Sequence, residues 1–181
     1  MHTQSTHFNL GTLEVAFVFS APGTKEDSNN RPVSGATGKN LNFALAYLSR
    51  NYPSAFPSSD RYAYRITNAY SSAISVGLGS NRSEATSTEI LEPNNVLRVV
   101  DELHGCRLVI LCGNKAQLLQ GALKQAGFRV ACESHTSNQG LVSKHNTLIA
   151  RAGASPEDRR RLRAEAWASS LQGKLATEGA V

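Results

Sequence analysis

Two kinds of apolar run alternate along this chain. Continuous ones occur at "EVAFVF" (14–19), "RYAYRITNAY" (61–70), "CRLVILCG" (106–113) and "FRVACESH" (128–135). They are short, rich in β-branched and aromatic residues and bounded by Gly, Pro or polar clusters, which predicts buried strands. Between them apolar residues recur at helical spacing. Leu41, Leu45 and Leu48, with Phe43 and Ala44 beside them, predict a helix after "GKN"; Ser87 or Thr88 caps another reaching about Leu103, interrupted or restarted at Pro93. "NKAQLLQGALKQAG" (114–127) is amphipathic, and Ser155-Pro156-Glu157-Asp158 has cap, first-turn proline and acidic first turn in order for a helix to about Leu171. Such alternation predicts a three-layer α/β/α sandwich around a central, mostly parallel four-stranded sheet. Ligands of such sheets bind beyond the carboxyl ends of the strands, so the loops at Ser20, Asn68, Gly113 and His135 are expected to share one rim.

Length and composition narrow this picture. A chain of 181 residues with 40% hydrophobic content supports one α/β domain over 1–181, with residues 1–12 and about 172–181 expected to fray. The 19 Lys and Arg against 14 Asp and Glu leave +5, which favours polyanion partners and equally suits plain solubility. Cys106, Cys112 and Cys132 have no CxxC spacing, so reduced thiols and a cytoplasmic setting are expected. The apolar run "LEVAFVF" follows no basic region and carries Glu14, so neither a signal peptide nor a membrane span is expected.

The richest loop is "FSAPGTKEDSNNRPVSGATGKNL" (19–41), where three glycines and two prolines accompany an acidic pair. A phosphate-loop reading of "GATGKN" fails on spacing, because Val33 stands where the first glycine belongs and Asn40 replaces the magnesium-binding Ser or Thr. No GxGxxG follows the first strand either. Glu26 and Asp27 suit orientation of a water or stabilisation of oxocarbenium-like charge, and equally suit an ordinary solvated turn. Asn68, at a strand end, offers both a donor and an acceptor to a heterocycle edge, or it caps a turn.

"SAPGTKED" with "RPVSGATGKNL", then "ITNAY", "LVILCGNKA" and "SHTSN", resemble in order the motifs of the uracil-DNA glycosylase superfamily. The match is closest to the branch with G-E-A-P-G followed by E-D, and it spans most of residues 14–140. The resemblance implies a DNA glycosylase that extrudes a pyrimidine and cleaves its N-glycosidic bond. It places base recognition on Asn68, with Ala21, Pro22, Gly23, Val33, Ser137 and Asn138 around the base. Ser20, Glu26, Asp27 and His135 are the catalytic candidates, with His135 donating a hydrogen bond to the departing base without needing a protonated imidazole. Leu141 either wedges from a loop into the gap left by the flipped nucleotide or, at least as readily, fills a small local core, with Lys144 and Lys39 on phosphates.

Departures from that branch carry information. Ser20 replaces its glutamate, and Ala21 stands where other branches have Asp or Asn. Val33 replaces a phenylalanine whose stacking is worth about 1–3 kcal/mol per base, which widens the pocket towards a bulkier base, such as a hypermodified pyrimidine of phage DNA. Three cysteines cannot supply the four thiolates of that branch's iron–sulfur cluster, so neither metal nor other cofactor is expected. The partner implied is DNA carrying an altered base, with the protein a monomer. Two other readings stand: a catalytically inactive binder of altered or abasic DNA, and a nucleotide-binding α/β protein unrelated to DNA. Arg159, Arg160 and Arg163 form a basic patch on the last helix that reads as a solvated face.

Overall fold

The structure, a computed structural model, describes residues 7–74 and 81–177. It has the expected α/β architecture, built on a four-stranded sheet of order β2-β1-β3-β4, with β1 at Val15–Phe19, β2 at Arg65–Asn68, β3 at Leu108–Cys112 and β4 at Arg129–Glu133. β1 runs parallel to both neighbours, pairing Phe19 with Asn68 on one side and Val18 with Leu111 on the other. All five residues of β1 and of β3 are buried, the pattern of parallel strands covered on both faces. The chain divides into two compact units.

The first unit comprises residues up to 35 and 62–132, and holds the sheet. Side chains alternate across a strand, so Ala16 and Val18 of β1 and Val109 and Leu111 of β3 join one apolar cluster with Val130 of β4. The cluster is completed by α3 (Ser87–Ile90), α4 (Pro93–Glu102), α5 (Asn114–Gln117) and α6 (Gln120–Gln125), through Ile90, Val99, Leu103, Ala116, Leu119 and Leu123. The break at Pro93 is as expected: Pro93 opens α4, where its missing N–H costs nothing. On the alternate strand positions, Phe17 meets Tyr64 edge-to-face with centroids 5.5 Å apart.

The second unit, residues 36–61 and 133 onward, is helical. α9 (Pro156–Thr177) packs against α2 (Ala36–Asn51), α7 (Asn138–His145) and α8 (Leu148–Arg151). Leu41, Ala44, Leu45 and Leu48 of α2 and Ala164, Trp167, Ala168, Leu171 and Leu175 of α9 are its buried faces, spaced three or four residues apart.

Several boundaries differ from expectation. The long loop after β1 contains a helix, α1 (Thr24–Asn29), which its scarcity of apolar residues concealed, since none of its residues is buried. β2 is shorter than the apolar run, because Arg61–Ala63 form a 3₁₀ turn. The expected helix over 114–127 divides into α5 and α6. Of the termini expected to fray, residues 1–6 and 178–181 lie outside the described residues; inside them Asn9 bridges Ile66 across antiparallel backbone bonds, and α9 continues to Thr177 with Leu175 buried.

Trp167 is fully buried and its indole N–H donates to the Ser134 carbonyl at 2.7 Å. Trp167→Ala is expected to lower stability by about 3–5 kcal/mol, whereas Leu148→Ala, at a side chain 76% exposed, is expected to stay within about 0.5 kcal/mol; urea unfolding of the two variants makes the comparison.

Candidate functional site

In the first unit the candidates lie where β1 and β2 end. Asn68 is the last residue of β2, and the chain beyond it continues the ladder against the β1 loop. The Ala69 N–H donates to Phe19 O at 2.7 Å, Tyr70 N–H to Ser20 O at 3.0 Å and Ile74 N–H to Pro22 O at 3.2 Å. Ser20, Ala21 and Pro22 are thereby fixed beside the Asn68 strand end by backbone bonds, which ask nothing of side-chain identity. Asn68 is 3% exposed, and its side-chain amide makes no hydrogen bond to any described residue. An amide on so little-exposed a residue, free of hydrogen bonds to described residues, is available to read a ligand.

Behind Asn68 lies a polar network that sequence reasoning missed. Arg98 of α4 donates from Nη2 to the Asn68 carbonyl at 2.9 Å and from Nη1 to Glu102 Oε2 at 2.6 Å. The Thr67 hydroxyl donates to the same Glu102 oxygen, and Asn95 Nδ2 donates to the Ala69 carbonyl at 2.7 Å. Arg98 and Glu102 are 6% and 2% exposed. The only hint in the sequence was their i,i+4 spacing, which more often marks a surface pair. A cavity of about 390 Å³ opens beside this network, lined by Tyr70, Ser71, Glu89, Glu92, Asn95 and Arg98. Glu92 is occupied by the Asn95 N–H and the Asn94 amide, and Glu89 by Arg82, whose bidentate hydrogen bonds hold its carboxyl down to about 2.

The acidic pair sits on α1. Glu26 reaches back to the Gly23 N–H at 3.2 Å, so one carboxylate oxygen serves as a helix cap. Asp27 is half-exposed, with Oδ1 3.7 Å from Nε2 of buried His7. Val33 is 3% exposed and has φ 44°, a left-handed conformation that strains a β-branched residue by about 1–3 kcal/mol. Its neighbours hold it there: the Tyr62 hydroxyl donates to the Pro32 carbonyl at 3.1 Å, and the Arg31 guanidinium lies 3.4 Å over the Tyr62 ring.

In the second unit, His135 follows two residues that are firmly anchored. Glu133 accepts from Ser170 Oγ at 2.7 Å and Lys174 Nζ at 2.8 Å, and lies 3.4 Å from His145 Nε2. Burial alone would raise the Glu133 carboxyl, but hydrogen bonds from His145, Lys174, the Ser134 backbone and Ser170 hold it down to about 2. Ser134 Oγ, at 2.9 Å, meets the same His145 nitrogen as Glu133, so this Ser-His-Glu group has no relay geometry and is structural. His135 Nδ1 accepts the Ser137 N–H at 3.0 Å, which leaves the proton of the neutral ring on Nε2. Burial pushes the imidazole down to about 4. His135 is therefore a neutral Nε2–H donor near pH 7.

Ser137 caps α7, accepting the Gly140 N–H at 3.1 Å. Asn138 Oδ1 accepts from Asn40 Nδ2 at 3.0 Å, and Asn40 also donates to the Thr136 carbonyl at 2.7 Å, so this fully buried residue of the "GATGKN" stretch acts as a brace, with its own Oδ1 unpartnered. Two expectations are corrected here. Residues 138–145 form a helix rather than a loop, because Ser137 and the small Gly140 let its first turn close. Leu141 is 1% exposed within that helix, so it fills the core of its unit and does not project as a wedge. Lys144 and Lys39 are exposed, on α7 and α2. Among the described residues no group of three or more His, Cys, Asp or Glu side chains is placed to hold a metal ion, the three cysteines are free thiols, and no helix is long and apolar enough to cross a membrane.

Two measurements follow from these networks. Glu102→Ala leaves Arg98 buried without its carboxylate and is expected to cost about 3–5 kcal/mol in urea unfolding. Because the His135 pKa is lowered from 6.5 to about 4 in the folded chain, the unfolded chain takes up the proton first, and stability is expected to fall as pH drops from 6.5 towards 4. His135→Gln should flatten that part of the stability–pH curve, and NMR should show the ring neutral down to about pH 4. No protein-family model and no curated protein matches this chain, so the functional reading rests on its residues and their geometry.

Proposed function

We propose that this chain is a monofunctional DNA glycosylase that hydrolyses the N-glycosidic bond of a flipped-out, deaminated or modified pyrimidine. Water adds to the anomeric carbon, the carbon–nitrogen bond breaks, and the base leaves with the bonding electrons and then takes a proton. The observation that carries the proposal is the Asn68 amide, at a strand end only 3% exposed and without a hydrogen bond to a described residue, on a carbonyl gripped by Arg98. That suits it to read a pyrimidine edge with little reorganisation. The order of motifs along the chain supports the same reading.

For His135 the proposed role is a hydrogen bond to the departing base, which its neutral Nε2–H form suits. Asp27, half-exposed, is the better placed of the acidic pair to orient water, since Glu26 is engaged as a cap. The buried valine at 33, in place of a stacking ring, favours a bulky modified base, and with it antiviral defence over repair of uracil. Free thiols suit a cytoplasmic enzyme, which we take to act as a monomer. The absence of a carboxylate at both Ser20 and Ala21 favours a second reading, an inactive binder of altered or abasic DNA.

Single-turnover incubation with duplexes carrying uracil, hypoxanthine or glucosylated hydroxymethylcytosine, followed by strand scission at abasic sites, tests the proposal. The wild type is expected to release the bulky base fastest. Asn68→Ala should slow release about 10²–10³-fold, and with His135 the ionising group the rate should not decline until pH approaches 4. Tight binding without release of any base would establish the inactive binder, and neither binding nor release would overturn both.

A further inference from the structure

The basic residues of α9 are not equivalent. Arg161 pairs with Glu165 at 2.8 Å and Asp158 at 3.6 Å, and Arg159 donates to the Gly153 carbonyl at 3.0 Å. Arg160 makes no hydrogen bond or ion pair to any described residue. Arg163 donates from Nε to the neutral Asn146 amide oxygen at 3.0 Å, which leaves its two terminal nitrogens. These two guanidiniums without a carboxylate, three residues apart and so on one helix face, line a cavity of about 160 Å³ together with Asn138 and Leu141 of the same unit.

The remaining wall continues the pattern. Because Asn138 Oδ1 is taken by Asn40, the free end of that amide is its N–H₂ group. The cavity is thus lined by donors from Asn138, Arg160 and Arg163 and by one apolar side chain, with no carboxylate among its lining residues. Asn138 also opens α7, whose positive end adds to the potential. A volume well under the roughly 300–1,000 Å³ of drug-sized ligand pockets excludes a base with its sugar and suits one tetrahedral oxyanion held by arginine forks.

We propose that this cavity is a binding site for a phosphoryl group, held by Arg160, Arg163 and Asn138. The site asks for a phosphate and not for a particular base, so it stands apart from the glycosylase reading. Its occupant is either a phosphodiester of a nucleic-acid backbone or a free phosphate.

The test uses inorganic phosphate, followed by calorimetry, and a short undamaged DNA duplex, followed by anisotropy over a salt series. Each is measured with wild type, Arg160→Gln, Arg163→Gln and the control Arg161→Gln, all checked by thermal melting for an intact fold. The cavity variants are expected to bind phosphate at least about tenfold more weakly, one charge-assisted bond's worth. If the occupant is a backbone phosphate, each should also reduce the salt slope of duplex binding by about one. Loss in the phosphate assay alone assigns the site to free phosphate, and loss with the duplex alone assigns it to nucleic acid. No phosphate or duplex binding by the wild type, or the same loss in Arg161→Gln as in the cavity variants, overturns the proposal.

Discussion

A guanidinium withdrawn from water must be met by a carboxylate and by acceptors for its remaining protons, and Arg98 is met on every side. Glu102 neutralises it, Asn95 takes bonds from Nε and Nη2, and Nη2 also grips the carbonyl of Asn68. Such a pair is a poor source of net stability, since desolvation of both ions offsets much of their attraction. What it supplies is position. The end of β2 cannot shift without stripping a buried charge of its partners, so the position of the Asn68 backbone is fixed.

The second unit solves the same problem with the charges reversed. There the buried ion is Glu133, and Lys174, Ser170 and His145 converge on it. The constraint again falls at the end of a strand, one residue before Ser134, whose carbonyl is taken by Trp167, and two before His135. Burial favours the neutral form of either group, so it raises a carboxyl but pushes the His135 imidazole down to about 4. Two strand ends, each fixed by an internal ion pair, present a neutral amide and a neutral imidazole.

Other candidates turned out to have structural duties. Glu26 closes the first turn of α1, and Leu141 fills a core. Val33 is the opposite case: as a β-branched residue at positive φ it costs the fold energy, and it is retained by the Tyr62 and Arg31 contacts on either side. Strain of that kind marks a loop shape that does not maximise stability.

The sequence by itself determined the order of strands and helices, the covered sheet and the strand-end placement of Asn68. These follow from local periodicity, which each segment carries in its own residues. Only the tertiary structure decided that Arg98 and Glu102 are buried behind Asn68, that Asn40 braces Asn138, that Leu141 points inward, and that Arg160 and Arg163 face a cavity while Arg161 faces its acids. Those outcomes depend on which helix face meets which neighbour and, for Asn40 and Asn138, on partners 98 residues apart along the chain, a distance over which no local pattern carries information.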